Sequence, residues 1–148
     1  MEGKANFKLF KEGEFIVTLV GIILNKKTRR ILIGKREGDK LVPELKWSFP
    51  GGKLESATNL EEHLLNEIKK KTGLEKVDIK KILLARITPE IERKQIILYY
   101  YCETDKNEED AGAGEKFVEV KWINSKDWKN YFATSVHPNI IKFLEKLK

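Results

Sequence analysis

The sequence is poor in the residues from which cross-linked or metal-bound sites are usually built. It holds one cysteine, Cys102, and two histidines, His63 and His137. A lone cysteine excludes an internal disulfide and fits a reducing compartment. Lying within IILYYYC, it reads as a buried small hydrophobe. No Cys/His spacing points to zinc, and two histidines support no Ser-His-Asp order. Long apolar runs are missing too. FIVTLVGIIL at Phe15–Leu24 has roughly half the length that a membrane span needs. No charged-then-apolar leader opens the chain, so a cytoplasmic protein without a membrane segment is expected. Repeats, low-complexity stretches and linkers are also absent, and residues 1–148 read as one domain.

What is present suits a folded domain. Of 148 residues, 41% are hydrophobic and 35% charged, enough for a sizeable core. The net charge is +6 and the pI near 9.3, a balance that steers anionic partners inward. The lysines are interleaved with glutamates along most of the chain, as on a solvated surface. Without an arginine–aromatic cluster, nucleic acid is not the favoured partner.

Phe15–Leu24 is rich in β-branched residues and reads as a buried strand. After a turn at Asn25–Thr28, RRILIGKRE returns as a second strand, and the looser GDKLVPELK leads to Trp47 and a Pro50-Gly51-Gly52 turn. Thr58–Lys71 is the clearest helix, with Thr58 and Glu61 spaced as a capping box and Gly73 just past its end. VDIKKILLARI, KQIILYYYCET and FVEVKWI are three more strands, Ser125–Phe132 is a short helix, and Pro138–Leu147 is a closing helix capped by His137. Strands dominate without strict β-α alternation. The expected class is α/β (α+β), a mixed sheet with helices packed on its faces.

The stretch Trp47–Leu74, WSFPGGKLESATNLEEHLLNEIKKKTGL, carries the chemistry. Two adjacent glycines let backbone approach a ligand, and a helix start just after them offers N–H groups to an anion. At 100° per residue, Leu60, Leu64, Leu65, Ile68, Ala57 and Thr72 form one stripe that should face the sheet. Lys71, Glu67, Leu74, His63 and Lys70 lie along one flank, where side chains can line a cleft beside the glycines. Glu67 is the best candidate carboxylate.

This stretch resembles the Nudix box of the MutT-like hydrolases: glycine, five residues, glutamate, seven residues, then R-E-U-x-E-E-x-G-U with U apolar. Gly52, Glu67, Ile68, Gly73 and Leu74 match without a gap, and WSFPGGKLE and EKFVEVKWINSKDW extend the likeness over most of Phe15–Trp128. Thr58 stands in the first glutamate place, Asn66 in the arginine place, and Lys70 and Lys71 in the paired-glutamate places. The resemblance implies an α/β/α sandwich. In the family the box glutamates and a backbone carbonyl bind divalent cations that activate water against a nucleoside diphosphate linked to a further group. Of that machinery only Glu67 and the Gly52 carbonyl carry over.

Two readings follow. In the first, the metal box is degenerate and no cofactor is expected. The protein is then a weak or inactive pyrophosphohydrolase that binds a nucleoside-diphosphate-type or other phosphate-containing ligand, with Gly51, Gly52, His63, Lys70, Lys71 and Trp47 as candidate contacts. In the second, it is an active Mg- or Mn-dependent hydrolase. Gly52, Glu67 and Glu115 would be its metal ligands, or Glu67 its catalytic general base, with acid recruited from Glu62 or from Glu108–Glu115 in NEEDAGAGE. Trp47, Phe49 and Tyr99–Tyr101 either offer a stacking face for a base or fill the core. Paired subunits are common among such domains, and a homodimer is compatible with the resemblance.

Overall fold

The computed structural model describes residues 15–37, 47–55, 59–89, 94–132 and 136–147. Among the described residues seven strands make one sheet: β1 (Phe15–Asn25), β2 (Ile31–Arg36), β3 (Trp47–Ser48), β4 (Gly51–Lys53), β5 (Asp78–Pro89), β6 (Lys94–Thr104) and β7 (Phe117–Ile123). Two α-helices among these residues accompany them, α1 (Leu60–Thr72) and α2 (Pro138–Lys146), with 3₁₀ turns at Glu108–Asp110 and Ser125–Asn130.

The main path through the sheet runs β3-β2-β1-β6-β5, with β4 on β1 and β7 on β2. β1 and β6 pair in parallel along their whole length, Phe15 opposite Lys94 through Asn25 opposite Thr104. The other pairings are antiparallel. A central parallel pair is covered on both faces, which is why the β1 sequence is a continuous apolar run rather than an alternating one.

The alternation of the pleat divides the core in two. Leu19 and Ile23 point to α1 and meet Leu64, Ile68, Tyr100, Cys102 and Trp122. Ile22 and Leu24 point the other way and meet Ile31, Ile33, Tyr101, Ile140 and Leu144. The architecture is therefore the expected α/β/α sandwich around a mixed sheet. Gly21 lies on the α1 face, where an added Cβ would stand 3.1 Å from the Ile68 Cδ1; its bare backbone sets the close approach of helix to sheet. No helix among the described residues is long and apolar enough to cross a membrane.

Several local expectations change. The Pro50-Gly51-Gly52 segment is not only a turn: Gly51–Lys53 is a short strand, with Gly51, Gly52 and Lys53 opposite Val20, Leu19 and Thr18. The described helix starts at Leu60 with Asn59 as its cap, the Asn59 Oδ1 accepting from the Glu62 N–H at 3.0 Å. Thr58 and Ala57, and the loose stretch at 38–46, lie outside the described residues. The helix stripe is also displaced. Leu60 and Leu65 are 38% and 36% exposed, while His63 and Glu67 are buried. The cause is β4, which runs along the His63–Glu67 flank and covers it.

Candidate functional site

Strand β4 and helix α1 meet one residue per helical turn. The His63 Nε2 lies 2.8 Å from the Lys53 carbonyl oxygen. One turn on, Glu67 packs against Gly52, where an added Cβ would stand 2.2 Å from the Glu67 Oε1. A further turn on, the Lys71 Nζ donates to the Gly51 carbonyl. Spacing of i, i+4, i+8 puts all three side chains on one line of the helix. The glycines thus lie beside the last two turns of α1, not before its first. The helix-start contribution expected at this place is absent, and lysine side chains supply the positive charge instead.

Glu67 is nearly inaccessible, and both of its oxygens face ammonium groups. The Lys71 Nζ is 3.3 Å from Oε1 and the Lys70 Nζ 3.5 Å from Oε2. The two lysines differ: the Lys71 side chain is 14% exposed and that of Lys70 51%. Burial holds the Lys71 ammonium below its ordinary pKa. Glu67 opposes that shift, and Lys116 and Arg36 reinforce it. Lys69 pairs with the exposed Glu75 at 3.9 Å and is itself largely exposed.

Arg36 and Lys116 were not among the candidates from sequence. The loop before β7 brings them in by tying off the end of α1. The N–H groups of Gly112, Gly114 and Glu115 donate to the carbonyls of Thr72, Lys71 and Lys70 at 2.8, 2.8 and 2.9 Å. Gly114 has no room for a side chain there, since a Cβ would fall 2.1 Å from the Lys70 carbonyl oxygen. Lys116 follows with φ of 64°, and its carbonyl accepts from the Glu37 N–H at 3.5 Å. Arg36 and Phe117 are partners in the β2–β7 register. The only sequence signal was a basic residue at the end of one strand and another at the start of a distant one. It becomes legible once their pairing is known.

The acidic loop is occupied elsewhere. Glu108 forms an ion pair with Arg30, whose Nε donates to the Glu108 Oε2 at 2.9 Å. Asp110 accepts from the Asn107 N–H at 3.0 Å, and the Trp122 Nε1 donates to the Glu108 carbonyl at 3.0 Å. Glu115 is engaged at the site through its backbone N–H, and its side chain is exposed. Glu62 is exposed in the first turn of α1.

Trp47 belongs to the other side of the sheet. It packs edge-on to Tyr131, ring centroids 5.5 Å apart, with the Lys121 Nζ 5.9 Å from its ring. Phe49 packs the same way on Phe132 at 4.9 Å. Both join the α2 core cluster, as do Tyr99 and Tyr101. The structure brings Gly51, Gly52, His63, Glu67, Lys70 and Lys71 together and leaves Trp47 apart, because β3 presents it to Tyr131. Cys102 is buried, and that burial pushes its thiol up to about 12, as befits a packing residue.

A model of the NUDIX domain matches residues 15–147. The chain belongs to the NUDIX domain family. Solved structures of the family share its fold at low identity. The MutT protein of Methanosarcina mazei is 19% identical with a TM-score of 0.68, over 92% of this chain and 94% of that one. A NUDIX hydrolase of Nitrosomonas europaea is 18% identical with a TM-score of 0.72, over 90% and 72%. The NUDIX domain of Shewanella oneidensis NrtR, solved with ADP ribose, is 16% identical with a TM-score of 0.72, over 100% of both chains. No protein of curated description matches by sequence.

NUDIX hydrolases generally use divalent metals such as Mg or Mn, so the donor set of this chain must be compared with what such an ion requires. A hard divalent cation takes an octahedral set of oxygens, carboxylates foremost. The described residues do not fit it. They contain no group of three acidic, histidine or cysteine side chains that could hold a metal. The carboxylate packed against Gly52, Glu67, is matched by two ammonium groups. The Gly51 carbonyl, the backbone oxygen beside Glu67, accepts from Lys71.

Proposed function

We propose that this NUDIX domain binds a nucleoside-diphosphate-type ligand at the C-terminal end of α1, beside β4, and hydrolyses it weakly or not at all. One observation carries the reading: the Lys71 ammonium is seated between the Gly51 carbonyl and the Glu67 carboxylate. A cation site in a NUDIX domain needs anionic side chains there. At 4 Å and an effective dielectric of 20, two unit charges interact by about 4 kcal/mol, as large as the whole binding energy of a millimolar ligand. Replacing a carboxylate by an ammonium forfeits that attraction. The same change suits the oxygens of a phosphate, which ammonium groups bind through charge-assisted hydrogen bonds. The ADP-ribose complex of the NrtR domain supports a nucleotide diphosphate as the ligand class.

In this reading Glu67 has no water to activate. It holds Lys71 in place and favours its charged form, while Gly52 leaves room for its carboxylate. Titration calorimetry with ADP-ribose, nucleoside diphosphates, magnesium and manganese provides the test, together with a phosphate-release screen. The expected result is nucleotide binding, no micromolar metal binding, and product formation no faster than in Glu67→Gln. Metal-dependent turnover that Glu67→Gln abolishes would replace this reading with that of an active hydrolase.

A further inference from the structure

We infer that the flank of α1 turned away from β4, with the apolar shelf of β5 and β6 beside it, is the contact surface of a two-fold dimer of this chain. The inference is independent of the nucleotide reading, since this surface lies across the helix from Glu67 and Lys71. Residues two apart on a helix point to nearly opposite sides. His63, Glu67 and Lys71 meet β4, so Glu61, Leu65 and Lys69 form the far flank. That flank looks over β6. Burial first, and then the Glu61 carboxylate, raises the pKa of the Tyr100 hydroxyl and of the Cys102 thiol.

The ties to β4 draw α1 to one side of the sheet and leave the other side uncovered. Ile79, Ile82, Ala85 and Ile87 of β5 stand opposite Cys102, Tyr100, Leu98 and Ile96 of β6. Tyr100 and Cys102 belong to the core under α1, so the whole row is on the α1 face. A strand row facing water is normally polar; this one is apolar throughout. Ile82 and Ile87 are 55% and 60% exposed, and Leu65 on the adjoining flank of α1 is 36% exposed. The outer edge of β5 is a poorer contact than this face. Its register shifts twice, between Ile79 and Lys81 and between Ile82 and Leu84, and Lys80 and Lys81 are exposed. Irregularities and lysines of this kind oppose the addition of a strand.

Charge selects the occupant. Glu61 and Lys69 lie four residues to either side of Leu65. A two-fold axis at Leu65 that runs a second α1 antiparallel to the first therefore brings each Glu61 to the other copy's Lys69. Every pairing across such an axis occurs twice. Within one chain Lys69 has Glu75 at 3.9 Å, with side chains 61% and 66% exposed, a pair that water weakens. The same axis sets Leu65 against Leu65 beside the two shelves and takes Ile82 and Ile87 out of water. The ion pairs fix the register, and the apolar contact supplies the affinity.

The experiment is sedimentation equilibrium of the full chain over a concentration series, with the unfolding midpoint of each variant measured in parallel. The mass should climb from 17.2 kDa toward twice that value. Ile87→Lys, at an exposed position, should raise the dissociation constant about tenfold or more without lowering the midpoint. Glu61→Lys and Lys69→Glu should each weaken association about tenfold through like charges across the axis. The two substitutions together should restore it, because the charges are then exchanged in both copies. A mass of 17.2 kDa at every concentration overturns the inference. So does a dimer that Ile87→Lys leaves intact, or a charge exchange that restores nothing. None of these results bears on nucleotide binding, which the calorimetry above decides separately.

Discussion

The Lys71 ammonium lies 3.3 Å from the Glu67 carboxylate while donating to the Gly51 carbonyl, so one side chain joins two successive turns of α1 to strand β4. Breaking this pair from its acidic side leaves a largely buried ammonium with only a carbonyl partner. Such one-sided removals are the costly ones. Glu67→Gln is expected to destabilise by about 2 kcal/mol in urea unfolding, whereas Lys70→Met, at a half-exposed position, should stay within about 0.5 kcal/mol. A double-mutant cycle over Glu67 and Lys71 should give a coupling of about 1 kcal/mol or more. Additive single effects would show that the two groups do not interact.

The paired glycines separate stability from binding. An added Cβ at Gly51 would stand 2.0 Å from the Leu19 carbonyl oxygen, a backbone atom of the strand that β4 pairs with. At Gly52 it would meet the tip of Glu67 and, at 3.0 Å, the Lys71 Nζ. Backbone cannot yield without opening the sheet, while side-chain tips can swing. Gly51→Ala is therefore expected to cost about 3 kcal/mol of stability and Gly52→Ala about 1 kcal/mol. Gly52→Ala should still lower nucleotide affinity about tenfold, because it displaces the ion pair that positions Lys71. Equal stability losses for the two variants would contradict this assignment.

The elements that the sequence made legible are those whose own pattern was sufficient. KQIILYYYCET and FVEVKWI became strands at the expected residues, since a run of β-branched and aromatic residues needs no partner to be recognised. His137 caps α2 as expected, its Nδ1 accepting from the Asn139 N–H at 3.1 Å. What the sequence concealed depends on pairing. β4 is three residues long, too short for any period to register, yet it decides which flank of α1 is covered. That is why Leu65 is left half-exposed while His63 and Glu67 are buried. Glu67 and the two lysines were legible through the box spacing. Arg36 and Lys116, eighty positions apart, join them only through the β2–β7 register.

If the cations at 70 and 71 are what excludes a metal, reinstating acid should admit one. Lys70→Glu with Lys71→Glu places three carboxylates within five residues on the end of α1, beside the Gly51 carbonyl. Without metal, like charges there should lower stability by about 1 kcal/mol. With manganese at about a hundred times its dissociation constant, linkage should return about 2.7 kcal/mol, seen as an upward shift of several degrees in the thermal midpoint. The parent chain should show no such shift. A manganese-dependent shift of equal size in both proteins would mean that the lysines do not block the site.

The Arg30–Glu108 pair anchors the loop that carries Lys116, and its response to acid has a definite sign. Burial raises the Glu108 pKa, but hydrogen bonds from Arg30 and Thr28 and the charge of Arg30 outweigh it, so the folded carboxyl lies below its ordinary 4.5. Between the folded and ordinary values the unfolded chain binds more protons, and stability rises with pH. The contribution is complete above the ordinary value and is lost as pH falls through the folded one. With the Arg30 side chain 48% exposed, the effect should stay within about 1 kcal/mol. Urea midpoints of the parent should therefore exceed those of Glu108→Gln at neutral pH and converge with them in acid below the carboxylate range. A difference that persists there would assign the stabilisation to packing rather than to the charge, and the anchoring of Lys116 would then be insensitive to pH.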